Sequence, residues 1–215
     1  MKKIFLLINL LAILSITAQE AEPRKETKDS RNRLHLGIKM GSNLSNVYDE
    51  QGDFSPSSKY GLVAGGFLNI PVGKYVGIHP EVLYSQKGFK ASGKYLGTSY
   101  DLVRTTSYVD VPLMLALKPL RQLTFVAGPN YSYLIRQKDV FLNGTDSSIK
   151  SEDFQHDDVR TNVLGAVIGA DINIWNIVLS ARYGFDVLSN YKNGNSGTPR
   201  YKNVWLQGTI GFRIF

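Results

Sequence analysis

The chain contains no cysteine, which excludes disulfides, thiol catalysis and attachment of a lipid through cysteine. It also lacks any apolar run of the ~20 residues that a helix needs to cross a bilayer. Histidine occurs only at His35, His79 and His156. The single sustained apolar run, Ile4–Ile16, is too short to span. It follows Lys2 and Lys3 and precedes Thr17-Ala18-Gln19, the layout of a secretion signal, so residues 1–18 are expected to be removed after Ala18. An exported chain without disulfides must be held by hydrogen bonding and burial alone.

Acidic charge is in deficit. The formal net charge is +7, or +5 with Lys2 and Lys3 removed. Five cations, Arg24, Lys25, Lys28, Arg31 and Arg33, lie beside Glu20, Glu22, Glu26 and Asp29 within a polar segment (19–33) that has no periodicity. This segment reads as disordered and periplasmic. Its cations are not interleaved with stacking aromatics on one module, so no nucleic-acid partner is expected. Attraction to anionic headgroups is the simpler reading.

From Leu34 onward the sequence repeats every two residues. Leu34, Leu36, Ile38 and Met40 alternate with His35, Gly37, Lys39 and Gly41. A helix would need apolar residues every third or fourth position, so the period predicts strands. The same pattern returns in Leu62, Ala64, Leu68 and Ile70, and in Val76, Ile78, Val82 and Tyr84 against His79, Glu81 and Ser85. It continues in Val109–Leu117 around Asp110, over about Gln122–Ile135, and in Leu164–Ile172 around Asp171. The last two strands set Ile177–Phe185 against Arg182 and Asp186, and Val204–Ile214 against Gln207 and Arg213.

The gaps between these strands alternate in length. Asn46–Ser58, Gly93–Leu102, Arg136–Asp158 and Leu188–Arg200 are long; Pro71–Lys74, Lys118–Arg121 and Asn173–Asn176 are short. Tight turns at one end and long loops at the other are the connection pattern of a transmembrane barrel. Alternation alone also fits a soluble barrel with an apolar interior, but the loop rhythm and the chain end favour the membrane. The predicted fold class is therefore all-β: an eight-stranded antiparallel up-and-down transmembrane β-barrel over residues 34–215. It would sit in the outer membrane of a Gram-negative bacterium among lipid and lipopolysaccharide, with both termini periplasmic.

Tyr75, Tyr84, Phe89, Tyr108, Tyr131, Tyr133, Trp175, Tyr183, Phe185, Trp205 and Phe212 fall near strand ends, where amphipathic rings settle at a membrane–water interface. The terminal aromatic Phe215 is the expected assembly signal, read by the barrel-assembly machinery through the last strand. The positions two, four and six before it are Arg213, Gly211 and Thr209, so it falls out of register with the apolar face.

Several short segments occur in a familiar order. They are Gly37-Ile38-Lys39-Met40-Gly41-Ser42-Asn43-Leu44-Ser45, His79-Pro80-Glu81-Val82-Leu83-Tyr84-Ser85-Gln86-Lys87-Gly88 and Tyr108-Val109-Asp110-Val111-Pro112-Leu113. Next come Ala127-Gly128-Pro129-Asn130-Tyr131, Ala181-Arg182-Tyr183-Gly184 and Gly211-Phe212-Arg213. This order resembles the PorT-like outer-membrane β-barrel family of Bacteroidetes, over about Leu34–Phe215. The resemblance implies an eight-stranded outer-membrane barrel. It also implies a candidate partner, a protein-secretion complex, since some relatives serve secretion and gliding machinery.

The alternation turns Lys39, His79, Glu81, Asp110, Asp171, Arg182, Asp186 and Arg213 inward. Eight strands enclose an interior that side chains just fill. Charges there must pair, because an isolated buried charge is very costly. The expectation is a closed, salt-bridged lumen in a non-enzymatic scaffold or partner-binding protein. The alternatives are a small-solute or ion porin and a lipid-modifying enzyme. An enzyme of that kind needs a nucleophile beside a histidine, yet Ser85 lies six residues along the strand from His79, roughly 20 Å away. His156, with Asp153, Asp157 and Asp158, lies in a loop whose acids are the solvated kind. No catalytic residue, metal site or cofactor is therefore predicted, and the long loops are the expected binding surface.

Overall fold

A strand satisfies its backbone only through its neighbours, so a sheet in hydrocarbon must close on itself. The computed structural model describes residues 29–49, 56–95, 98–143, 146–152, 160–189 and 201–214. The expected signal peptide, most of segment 19–33, His156 and Phe215 lie outside them. Residue contacts divide the chain into Met1–Ser30 and Arg31–Phe215, and the second unit is the barrel. A short 3-10 turn covers Ser30–Asn32. Among the described residues no helix is long and apolar enough to cross a membrane.

The strands in order are β1 (His35–Asp49), β2 (Pro56–Pro71), β3 (Val76–Tyr95), β4 (Thr98–Leu117) and β5 (Leu123–Asn143). They continue with β6 (Asp146–Glu152), β7 (Asn162–Ile174), β8 (Ile177–Asp186) and β9 (Tyr201–Arg213). All pairings are antiparallel. The sheet closes where β9 returns to β1, from Gly37–Arg213 to Asp49–Tyr201. Eight strands make the closed barrel; β6 stands outside it, paired with β5 alone among the described residues. β5 serves both: it pairs with β7 over Leu123–Tyr133 and with β6 over Gln137–Asn143.

Two of the expected long loops are largely strand. β3 runs to Tyr95 and β4 begins at Thr98, so the predicted gap Gly93–Leu102 is the tip of a hairpin. The predicted gap Arg136–Asp158 holds the end of β5 and all of β6. Antiparallel hydrogen bonding runs straight on from the barrel into these arms, where most residues are polar and the strict apolar alternation that lipid requires is lost. Together the arms of β3, β4, β5 and β6 form a sheet that extends past the barrel wall at the long-loop end. The short turns match expectation, with β2–β3, β4–β5 and β7–β8 joined by 72–75, 118–122 and 175–176.

A β-bulge marks where β5 changes partner. Ser107 pairs with Arg136 and Tyr108 with Leu134, so Ile135 has no residue opposite. The extra residue reverses the alternation. Below it Val126, Asn130, Ser132 and Leu134 are buried; above it Gln137 and Asp139 are.

Inside the narrow bore, bulky residues face glycines directly across the ladder. Trp205 is registered with Gly184, Arg182 with Gly169 and Phe67 with Gly37. In each pair the large side chain lies where a Cβ on the glycine would stand. The wall therefore gives up a side chain to admit an indole, a guanidinium or a phenyl ring. Three aromatics expected at the membrane interface, Phe89, Tyr108 and Trp205, point inward instead and are buried. They sit on the polar side of the alternation, and these glycines make room for one of them. Tyr75, Tyr84, Tyr131, Tyr133, Trp175, Tyr183, Phe185 and Phe212 are exposed on the outside with the apolar band. Replacing Gly184 by Ala forces the Trp205 ring aside. It is expected to cost about 1–3 kcal/mol, read as a lower urea midpoint in detergent.

Candidate functional site

The chemistry of the molecule is concentrated in its interior and at its two ends. Glu81 on β3 is the centre of one cluster. Its Oε1 accepts from Lys39 Nζ of β1 at 2.7 Å, from His79 Nε2 at 2.9 Å and from Arg182 Nη2 of β8 at 3.3 Å. Arg182, having reached Glu81 across the bore, is held on its own side through Nη1, 2.7 Å from Asp171 Oδ1 on the adjacent strand β7. The same nitrogen donates to the Ala170 carbonyl at 3.1 Å. Each of these four charged side chains is about 1–2% exposed. Lys39–Glu81–Arg182–Asp171 is thus a brace between walls far apart in sequence. His79 stacks on Phe67 with ring centroids 5.6 Å apart, which fixes the imidazole plane. Lys39 Nζ lies 5.4 Å from the same Phe67 ring.

A second cluster is centred on Lys87 of β3, which lies on the same face as His79, Glu81 and Ser85. Its Nζ is 3.0 Å from Asp110 Oδ2, 3.3 Å from Ser132 Oγ and 3.6 Å from the centre of a Trp205 ring. Buried ammonium on an indole face is a strong form of cation–π contact. Asp186, expected among the paired charges, meets an amide instead: Asn203 donates to its Oδ2 from Nδ2 at 2.6 Å and from the backbone N–H at 3.3 Å.

A third pair closes the long-loop end. Arg104 on β4 grips Asp139 on β5 in a two-pronged contact at 2.8 and 2.7 Å. The Arg104 guanidinium lies 5.9 Å from the Phe89 ring and 6.0 Å from the Tyr201 ring, and Val47 packs with these two rings. At the short-turn end Arg213 bonds Asn173, and Asn173 Nδ2 donates to Thr124 Oγ1 at 3.0 Å.

Of the eight predicted interior residues, Lys39, His79, Glu81, Asp171 and Arg182 meet in one cluster. Asp110 belongs to another, and Asp186 and Arg213 take neutral partners. Lys87 carried a signal in its alternation; Arg104 and Asp139 fell in or beside segments read as loops. A void of about 10 Å³ remains between Glu81, Asp110, Asn130, Arg182 and Trp205, room for roughly one water. Serine Ser85 bonds the Asn43 amide at 2.9 Å rather than a histidine. Among the described residues no group of three or more His, Cys, Asp or Glu is placed to hold a metal.

The family described as outer membrane protein beta-barrel domain matches residues 17–191. No curated protein matches the chain. Among solved structures it is similar to Ail, the attachment invasion locus protein of Yersinia pestis, in complex with the heparin analogue sucrose octasulfate. That likeness has 13% identity over 84% of this chain and 99% of the other, with a TM-score of 0.48. It is also similar to Neisserial surface protein A at 11% identity, 83% and 97% coverage and TM-score 0.46. For OprG from Pseudomonas aeruginosa the values are 12%, 84%, 95% and 0.41.

Replacing Arg182 by Leu removes the centre of the brace and leaves the buried Glu81 and Asp171 short of a cation. A loss of about 3–5 kcal/mol is expected, read as reduced resistance of the folded barrel to heat and urea. Unchanged resistance would mean that Arg182 is not part of a buried network.

Proposed function

We propose, from the premise that this chain belongs to the outer membrane protein β-barrel domain family, that it is a non-enzymatic scaffold whose projecting sheet binds a partner. The protein is an outer-membrane β-barrel. In the proposed orientation the short turns and both chain ends face the periplasm, after removal of residues 1–18, and the β3–β6 arms face outward.

The observation that carries this reading is β6. It pairs with β5 on one edge, from Gln137–Glu152 to Asn143–Asp146, and has no strand on its other edge among the described residues. An open edge presents a row of unpaired N–H and C=O groups to an extended segment of another chain. The barrel beneath is braced and filled, which suits a rigid mount better than a passage. The resemblance to PorT-like proteins makes a secretion complex the first partner to seek.

The first check is migration of the protein from outer membranes on a gel, with and without boiling; a folded barrel shifts on heating. A photo-crosslinking residue at Ser148 in β6 is then expected to yield a discrete protein adduct, lost when residues 146–152 are replaced by a short Gly-Ser turn. Adducts to lipid alone would remove the partner-binding reading. In a planar bilayer the pure protein is expected to be silent; steady single-channel steps would favour a porin instead.

A further inference from the structure

Charge inside the bore is balanced except at the short-turn mouth. Among the described residues the other buried lysines and arginines, Lys39, Lys87 and Arg182, each contact a carboxylate. Lys118 is as buried as they are, at 3% exposure, yet the acceptor for its Nζ is a neutral one, the Arg31 carbonyl at 3.2 Å. Arg213 likewise bonds an amide, that of Asn173, and its Nε is shut away from water without a partner. Asp171, two residues before Asn173 on β7, is within electrostatic reach of Arg213 but is held by Arg182 at 2.7 Å.

The two cations face one another. Lys118 follows the last residue of β4 and turns back into the bore. A Cβ on Gly77, which shares the inward parity of His79 and Glu81, would stand 2.9 Å from the Lys118 Nζ. Burial, and the Arg213 guanidinium nearby, push the Lys118 ammonium below its usual pKa. Two like charges kept together out of water are costly unless an anion joins them.

The backbone at Arg31 roofs this mouth. Besides its carbonyl on Lys118, Arg31 donates from Nη1 to the Pro119 carbonyl at 3.3 Å, and its guanidinium lies 5.0 Å from the Tyr75 ring. The Lys118 backbone N–H reaches the Tyr75 carbonyl at 2.7 Å, so the β2–β3 and β4–β5 turns are joined beneath it.

We propose that the short-turn mouth of the bore is a binding site for a small phosphate-type oxyanion, held between Lys118 Nζ and the unpartnered Nε edge of Arg213. A dianion of this kind matches the two positive charges, and guanidinium N–H groups suit phosphate oxygens. The Arg31 carbonyl takes the place on Lys118 that a ligand oxygen would take, so entry of the anion lifts the Arg31 turn. The cations point into the bore and not toward lipid, so the ligand is an anion free in the compartment at this end rather than a headgroup. The site does not depend on the partner-binding reading of β6.

The test is calorimetric titration of the protein, purified from outer membranes into a maltoside detergent, with inorganic phosphate against chloride at equal ionic strength. Saturable one-site binding of phosphate is expected, weakened about tenfold or more by Lys118→Met and by Arg213→Gln, and unchanged by Lys90→Met at the opposite end. The heat-dependent gel shift of each variant shows that its barrel is intact. Lys118 lies in a turn, outside the barrel wall, so its variant alone decides the matter should Arg213→Gln fail to fold. In a phosphocholine detergent the affinity is expected to be the same; competition there would assign the cations to lipid headgroups and overturn the proposal. So would phosphate binding no better than chloride, or binding that survives Lys118→Met undiminished.

Discussion

The pairing of β1 with β9 unites the two ends of a sheet that would otherwise expose a row of unpaired backbone groups to lipid. Because the closure is made with eight strands, the bore can be no wider than a layer of side chains. That width governs the whole interior. Lys39, Glu81, Arg182 and Asp171 are sealed from bulk solvent, so they neutralise one another inside the bore. Trp205, Arg182 and Phe67 find volume only where the adjacent strand carries glycine. The interior is thus the consequence of circumference, and its composition makes sense only once the sheet is closed.

The same closure separates the molecule into regions of different chemistry. The outer wall offers lipid an apolar surface, the middle of the bore is a set of neutralised braces, and the two ends differ in what they expose. At the long-loop end the wall continues as a sheet beyond the barrel, with Arg104 and Asp139 locked at its root. At the short-turn end the chain is pared to a few residues per turn, yet keeps exposed aliphatic and aromatic groups beside cations.

Much of the fold was legible because lipid enforces a strict period of two and because turns at the two ends differ in length. Glu81, Arg182 and Asp171 could be assigned to the interior from that alternation alone, and Lys87 obeyed the same parity. What could not be read was long-range. Nothing local to Glu81 says that Arg182, a hundred and one positions away, will reach it. Asp139 was hidden by the bulge at Ile135: counted from the lower part of β5 it belongs outside, and only the extra residue turns it in. The arms of β3 to β6 looked like loops because their polarity is that of water-exposed strand, which resembles loop composition. Phe89, Tyr108 and Trp205 looked like interface residues because aromatic type outweighed position in the alternation.

The one-sided attachment of β6 has a mechanical consequence. Hydrogen bonds in an antiparallel ladder lie perpendicular to the strands. A pull along β6 therefore loads all of its bonds to β5 at once, while a pull sideways opens them one at a time from the free end. A tether held on that edge would resist traction along the strand and peel away under drag across it. The direction of force, rather than its size alone, would set how long such an attachment lasts.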